Sequence, residues 1–295
     1  MGQVARYAVV TGGSSGIGRE ICRQLSREGW TVAVADINAE AGEVVVSEIR
    51  KAGGQAIFER LDVTDEAAWS SLRDRLQSEW PHIDLVVNNA GVCAGGALDD
   101  ITVETWDWIY QINLRGAMMG CRTFIPWLKQ NPRQTHIMNM SSIAGLVFAP
   151  RMAAYNATKA ALVALSETLN LELKPDKVSV TAVCPWFVPT NLLVSGRFAR
   201  KSEQDYAISQ MKTSTVTPEH VAKQAIKATL KRKPVCIVGS RAIGVAYLNR
   251  MLPGVMRFMI NFWSQDIEVT EEAPVDGSLL TNLKSEASKP DATQV

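Results

Sequence analysis

Apolar runs of five to eight residues alternate with stretches in which apolar residues recur every three or four positions. The runs YAVVT (7–11), TVAVAD (31–36), QAIFERLD (55–62), IDLVVNNA (83–90), HIMNMS (136–141), VSVTAVCP (178–185) and VCIVG (235–239) predict buried strands. Helical spacing predicts helices over 17–29, 38–52, 65–79, 102–130, 153–173 and 217–232. Near-continuous apolar strands leave no polar face for water. The sheet must be covered on both sides, which implies an α/β, doubly wound parallel sheet. No repeat or linker divides residues 1–240, so one catalytic-size domain is expected there.

The C-terminal pattern differs. AIGVAYLNRMLPGVMRFMINFW (242–263) is apolar but interrupted by Arg250, Pro253 and Arg257, which argues for a helical extension over 241–265 rather than a membrane span. From His220 to Gln265 there is no acid, whereas Lys223, Lys227, Lys231, Arg232, Lys233, Arg241, Arg250 and Arg257 are basic. Three readings stay open: a core-packing helix with a basic outer face, peripheral contact with an anionic membrane through 220–265, or phosphate binding on an acyl carrier such as coenzyme A. After Trp263 aromatics vanish and acids outnumber bases, so 266–295 is expected to be a disordered acidic tail.

Composition narrows the class. With 295 residues, 46% of them hydrophobic, the chain can bury a full core, and a net charge of +1 argues against a dedicated nucleic-acid binder. Five scattered cysteines without a C-x-x-C, and three distant histidines, point to reduced thiols and no metal centre. A strand-like run begins by Tyr7 where a leader would have its apolar core, so a cytoplasmic protein is expected.

TGGSSGIG (11–18) joins the first strand to the first helix. Gly12, Gly16 and Gly18 permit a tight turn and close approach of a pyrophosphate, while the helix N-terminus offers free N–H groups. Asp36, which ends the second strand, can accept both hydroxyls of an adenosine ribose and would repel a 2′-phosphate. No base stands within the loop, where Ser14 and Ser15 sit, although Arg19 follows it. NAD is therefore expected in preference to NADP.

TGGSSGIG, NNAG (88–91) and YNATK (155–159), in that order, resemble the short-chain dehydrogenase/reductase family in its typical NAD-type branch. The likeness covers residues 5–240 and implies a Rossmann-like domain with about seven strands, assembled as a homodimer or homotetramer. It implies a catalytic set of Asn113 (in QINLRG), Ser142 (in NMSSIAG), Tyr155 and Lys159. Ser142 stands 13 residues before Tyr155, the family spacing, and is chosen over Ser141. The cofactor-binding set it implies comprises Gly12, Ser14, Ser15, Gly16, Ile17, Gly18, Asp36 and Ile37, then Asp62 and Val63 beside the adenine, then Asn89, Ala90 and Gly91. Tyr155, Lys159, Pro185, Val188 and Thr190 complete it. One departure is Trp186, which stands where the family often has glycine and leaves the local backbone course open.

Such a set suits redox chemistry at an alcohol carbon. A free tyrosine titrates near ~10, and lowering it to ~7 takes about 4 kcal/mol. A cation ~4 Å away at an effective dielectric of ~20 supplies about that much, so Lys159 is expected to poise Tyr155 as acid or base. Ser142 would hydrogen-bond the substrate oxygen, and Asn113 would hold a water linking Lys159 to solvent. Residues Ala94, Ile143, Trp186, Phe187, Leu192 and Leu193 are candidates for a largely apolar substrate wall. Arg151 either anchors a substrate carboxylate or is an ordinary solvated loop residue. The expected activity is NAD-dependent exchange of a hydride with a small hydrophobic secondary alcohol or ketone. An NADPH-dependent carbonyl reductase and a non-catalytic cofactor sensor are the alternatives.

Overall fold

A strand buried on both faces should split its side chains between two cores with period two, and the structure shows this split. The computed structural model describes residues 5–264; the tail expected over 266–295 lies outside them. The chain runs β1 (Arg6–Thr11), α1 (Gly16–Arg27), β2 (Trp30–Asp36), α2 (Ala39–Lys51), β3 (Gln55–Arg60), α3 (Glu66–Glu79) and β4 (Leu85–Asn88). It continues through a short β5 (Ala94–Gly95), α4 (Val103–Tyr110), α5 (Ala117–Gln130), β6 (Thr135–Met140), α6 (Ala153–Glu172) and β7 (Val178–Pro185). Then follow β8 (Arg197–Phe198), α7 (Lys201–Lys212), α8 (Pro218–Leu230), β9 (Val235–Val238), α9 (Ser240–Met251) and α10 (Pro253–Ser264).

The main sheet is parallel, in the order β3-β2-β1-β4-β6-β7-β9. Val10, Val32, Val34 and Val87 face a core closed by Ile21 and Leu25 of α1, Val45 and Ile49 of α2, and Ile226 of α8. Val9, Ala33, Val86 and Ile137 face the opposite core, built on Trp69 and Leu72 of α3 and Phe124 and Leu128 of α5. The order reverses between β1 and β4, and open parallel sheets place their ligand crevice at the carboxyl ends of such strands.

Local chemistry sets the helix starts. Asn38, Asp65 and Thr217 cap α2, α3 and α8 by accepting N–H bonds from Ala41, from Ala67 and Ala68, and from His220. α1 begins differently: Ser15 makes no side-chain cap bond there.

Some expectations needed adjustment. The helix expected over 102–130 is interrupted by a wider π turn over Gln111–Gly116, which carries Asn113. Between β7 and α8 the chain also forms β8, which pairs with β5, and α7. Residues 240–264 form two helices separated where Pro253 breaks the backbone pattern.

His136, buried on β6, places Nδ1 2.8 Å from Ser179 Oγ on β7. Burial, aided by the charge of Arg232, lowers its pKa from 6.5 to about 4. Between those values the unfolded chain binds a proton that the folded protein refuses, so this contribution is intact above pH 6.5 and lost as pH falls toward 4. We expect urea-unfolding stability to drop across that window by up to about 3 kcal/mol, and His136→Gln to flatten the drop. An acid limb unchanged by the substitution would contradict this.

Candidate active site

The crevice at the β1–β4 reversal opens into a cavity of about 960 Å³, at the upper end of small-molecule sites. Its floor is the glycine loop. Gly12 and Gly16 have φ of +62° and +52°, where a side chain would be strained. A Cβ on Gly18 would lie 2.1 Å from the Gly12 carbonyl oxygen, so that position is closed to any side chain by packing. Gly12, Ser15, Gly16 and Ile17 line the cavity, and the uncapped start of α1 stands among them. The donor set suits an anionic pyrophosphate.

The adjoining strand end is locked onto this loop. Asn89 donates through Nδ2 to the carbonyls of Thr11 (3.0 Å) and Gly12 (3.1 Å). The Thr11 hydroxyl in turn accepts N–H bonds from Asn89 and Ala90, both at 3.0 Å. Asn89, Ala90 and Gly91 all line the cavity. Beneath them Asn88 donates to Asn139 (2.8 Å), which donates to Ser166 on α6 (2.9 Å), a buried chain tying β4, β6 and α6 together.

Beside the glycine loop, Asp36 accepts from the Ser14 amide (3.1 Å), the Ser14 hydroxyl (2.6 Å) and the Asn38 amide (3.0 Å). Ile37 beside it is exposed. Asp62 accepts from both the amide and the hydroxyl of Thr64, and the Val63 carbonyl accepts from Trp69 Nε1. These four residues, with Ser14 and Gly18, lie away from the cavity lining.

Ser142, Tyr155 and Lys159 converge on the cavity wall. The first starts a 3₁₀ turn after β6; the other two are one turn apart on α6. The Ser142 hydroxyl accepts from the Ala144 amide at 3.2 Å and lies close enough to the Tyr155 phenol to influence its titration. Lys159 Nζ donates to the Met140 carbonyl at 2.9 Å and lies 5.6 Å from the Tyr155 ring centroid. Ser141 does not share the role of Ser142: its hydroxyl donates to the Lys159 carbonyl and holds α6 against β6.

Both titrating groups are buried. Burial raises the Tyr155 phenol above its ordinary value, although the Ser142 hydroxyl works the other way. Burial likewise lowers Lys159 to about 8. The poise expected from lysine alone is therefore outweighed in the ligand-free protein, because dehydration acts on both charges at once.

Asn113 is fully buried, with Oδ1 accepting from the Val92 amide (2.7 Å) and Nδ2 donating to the Val92 carbonyl (2.9 Å). Its side chain thus braces the segment that follows Gly91.

Of the expected substrate residues, Ile143, Trp186, Phe187, Leu192 and Leu193 line the cavity, as do the cofactor candidates Pro185, Val188 and Thr190. Ala94 is buried in β5, and its neighbour Cys93 faces the space instead. Trp186 continues the strand ladder, its amide donating to the Val238 carbonyl at 2.9 Å, so the missing glycine does not divert the backbone. Arg151 lines the cavity but is committed to carboxylates of the chain itself. It pairs with Asp100 at 3.1 Å and with Glu203 on α7. Glu203, Gln210, Leu248 and Met256 also line the cavity and were not singled out from the sequence. Their elements are distant in the chain, and no local motif marks them.

The family model for short chain dehydrogenases matches residues 6–201. The chain belongs to that family and is an oxidoreductase of it. It is 39% identical over 191 residues to a cyclopentanol dehydrogenase of Comamonas testosteroni, covering 64% of this chain and 76% of that one. An NADP-dependent (R)-specific alcohol dehydrogenase of Lentilactobacillus kefiri is 35% identical, over 64% of this chain and 75% of its own. Among solved structures, a family member from Burkholderia phymatum in complex with NAD superposes with a TM-score of 0.80 at 28% identity, covering 85% and 95% of the two chains.

The lowered Lys159 value has a stability consequence. Between pH 8 and 10.5 the unfolded chain retains a proton that the folded protein has released, so stability rises with pH across that window. At pH 7 the buried charge therefore costs stability, by about 3 kcal/mol from the shift alone. We expect Lys159→Met to be more stable than wild type at pH 7, by about 1–3 kcal/mol once the lost Met140 bond is deducted. The advantage should shrink toward pH 10. A variant less stable at pH 7 would contradict the assignment.

Proposed function

We propose that this protein is an NAD(H)-dependent dehydrogenase of hydrophobic secondary alcohols, or a reductase of the matching ketones. The observation that carries the reading is the convergence of Ser142, Tyr155 and Lys159 on a large cavity whose floor is the glycine loop. The nicotinamide, when bound, supplies the hydride acceptor for oxidation and the donor for reduction.

The chain's residues do the rest. The Ser142 hydroxyl donates to the substrate oxygen and steadies the charge that grows there. Tyr155 takes the hydroxyl proton in oxidation and returns it in reduction. The Lys159 ammonium stabilises the phenolate, and its donor capacity beyond Met140 is available to a cofactor ribose. Asn113 acts as a positioning residue through Val92. Phe187, Leu192 and Leu193 favour an apolar substrate, in keeping with the alcohol dehydrogenases named above.

NAD is favoured over NADP by Asp36 beside the glycine loop and by the commitment of Arg19 to Glu48, 2.6 Å away, which engages the base that follows that loop. The Lentilactobacillus relative, NADP-dependent by name, is the reason to test the point. A cytoplasmic homodimer or homotetramer is the expected setting, with sizing as its check. Residues 1–240 would be the catalytic domain.

We expect Tyr155→Phe to lose at least about 100-fold in kcat on secondary alcohols while binding NAD as wild type does. We expect Asp36→Asn to narrow the NAD preference by about tenfold. Turnover retained in Tyr155→Phe, or tighter NADP than NAD binding by wild type, would overturn the respective assignments.

A further inference from the structure

The helices α9 and α10 are apolar on two opposite faces. Gly244, Val245 and Leu248 of α9, with Met256 and Ile260 of α10, line the cavity. Around the other side Ile243, Tyr247 and Met251 of α9, at a four-residue spacing, are exposed, and so are Val255, Phe258 and Phe262 of α10. Phe258 and Met251 expose 72% and 73% of their surface. Phe148, on the loop that Asn249 ties to α9, is exposed as well. A helix apolar all round is normally buried against something, and contiguous exposed apolar surface of this kind marks an interaction site.

Charge narrows what covers it. Arg241, Arg250 and Arg257 are the charged residues of α9 and α10, without an ion-pair partner among the described residues; Arg241 stands at the cavity, whereas Arg250 and Arg257 are exposed away from it. No acid occurs between His220 and Gln265. A second copy meeting this face would bring arginine toward arginine, whereas an anionic lipid surface complements it. No described helix is long and apolar enough to cross a membrane. Two helices of twelve residues each, presenting aromatics and arginines, suit the interface plane instead.

We infer that the α9–α10 face docks on an anionic lipid surface and that the cavity beneath it receives a long-chain secondary alcohol or ketone from that bilayer. The substrate half of this inference rests on the reading of the active site above; the docking half does not. Helices that contact lipid on one side and wall the cavity on the other give an apolar chain a dry passage to Tyr155.

The test is sedimentation of the full chain with vesicles of phosphatidylcholine, with and without about 30% phosphatidylglycerol. We expect at least about tenfold stronger binding to the anionic vesicles, weakened by salt. Phe258→Ser/Phe262→Ser should lose that binding. It should also lose at least about tenfold in turnover of a long-chain secondary alcohol dissolved in the vesicles, with turnover of a short water-soluble one unchanged. Wild-type protein that stays in solution with both vesicle types overturns the docking face. So does a double variant that binds normally or changes only the oligomer size, which would make the face a contact between copies. Vesicle binding gained only after removal of residues 265–295 would assign the face to that segment instead. Because sedimentation needs no turnover, failure of the redox reading would appear as lost chemistry on both alcohols with docking intact.

Discussion

The site depends on one costly arrangement, an ammonium buried in the wall of a largely apolar cavity. Lys159 is only 5% exposed and, among the described residues, donates to one acceptor, the Met140 carbonyl. Two devices hold it there. Ser141 pins the Lys159 carbonyl to β6, and the close approach this needs is possible because Gly145 has no side chain. A Cβ on Gly145 would lie 2.7 Å from the same carbonyl. The Asn88–Asn139–Ser166 chain anchors the next turns of α6 to two central strands. A group that costs stability at neutral pH is thereby kept within reach of a phenol that also resists ionisation. The two penalties have opposite signs of charge, so a reaction that moves a proton onto or off Tyr155 feels both.

The parallel sheet brings these parts together. Strands β1, β4, β6 and β7 end on the same side, and each delivers one piece of the site from the residues that follow it. The glycine loop follows β1, Asn89 to Gly91 follow β4, Ser142 follows β6 and Trp186 follows β7. Thr11 and Asn89 cross-brace the first two ends, joining the loop to the 89–91 segment. α7 is attached through Arg151, which bridges Asp100 and Glu203.

Legibility followed the range of the forces involved. The seven main strands were readable because burial on both faces leaves continuous apolar runs, and α1, α2 and α8 because each has a clear apolar stripe. The glycine loop and the Tyr155–Lys159 pair were readable as local spacings, and the family resemblance ordered them. α7 was not, since its sequence is mostly polar and its buried Glu203 is explained by an arginine 52 residues away. For the same reason Arg151 could not be recognised as an internal ion-pair partner. The π turn left no mark in the helical pattern, yet it turns Asn113 inward onto Val92. The effect of burial on Tyr155 was also invisible, because local spacing places a cation near a phenol without revealing how much water both have lost.

Direct titration of the Tyr155 phenol tests this account most closely. Ultraviolet difference spectra of wild type against Tyr155→Phe would be followed with pH, with and without NAD, in the Lys159 and Lys159→Met backgrounds. The account predicts a phenol that resists ionisation beyond an ordinary tyrosine in the free protein. It predicts that the phenol ionises more readily once NAD is bound, and that most of this response disappears without Lys159. A phenol that titrates as an ordinary tyrosine in the free protein, or that responds to NAD equally well without Lys159, would contradict it.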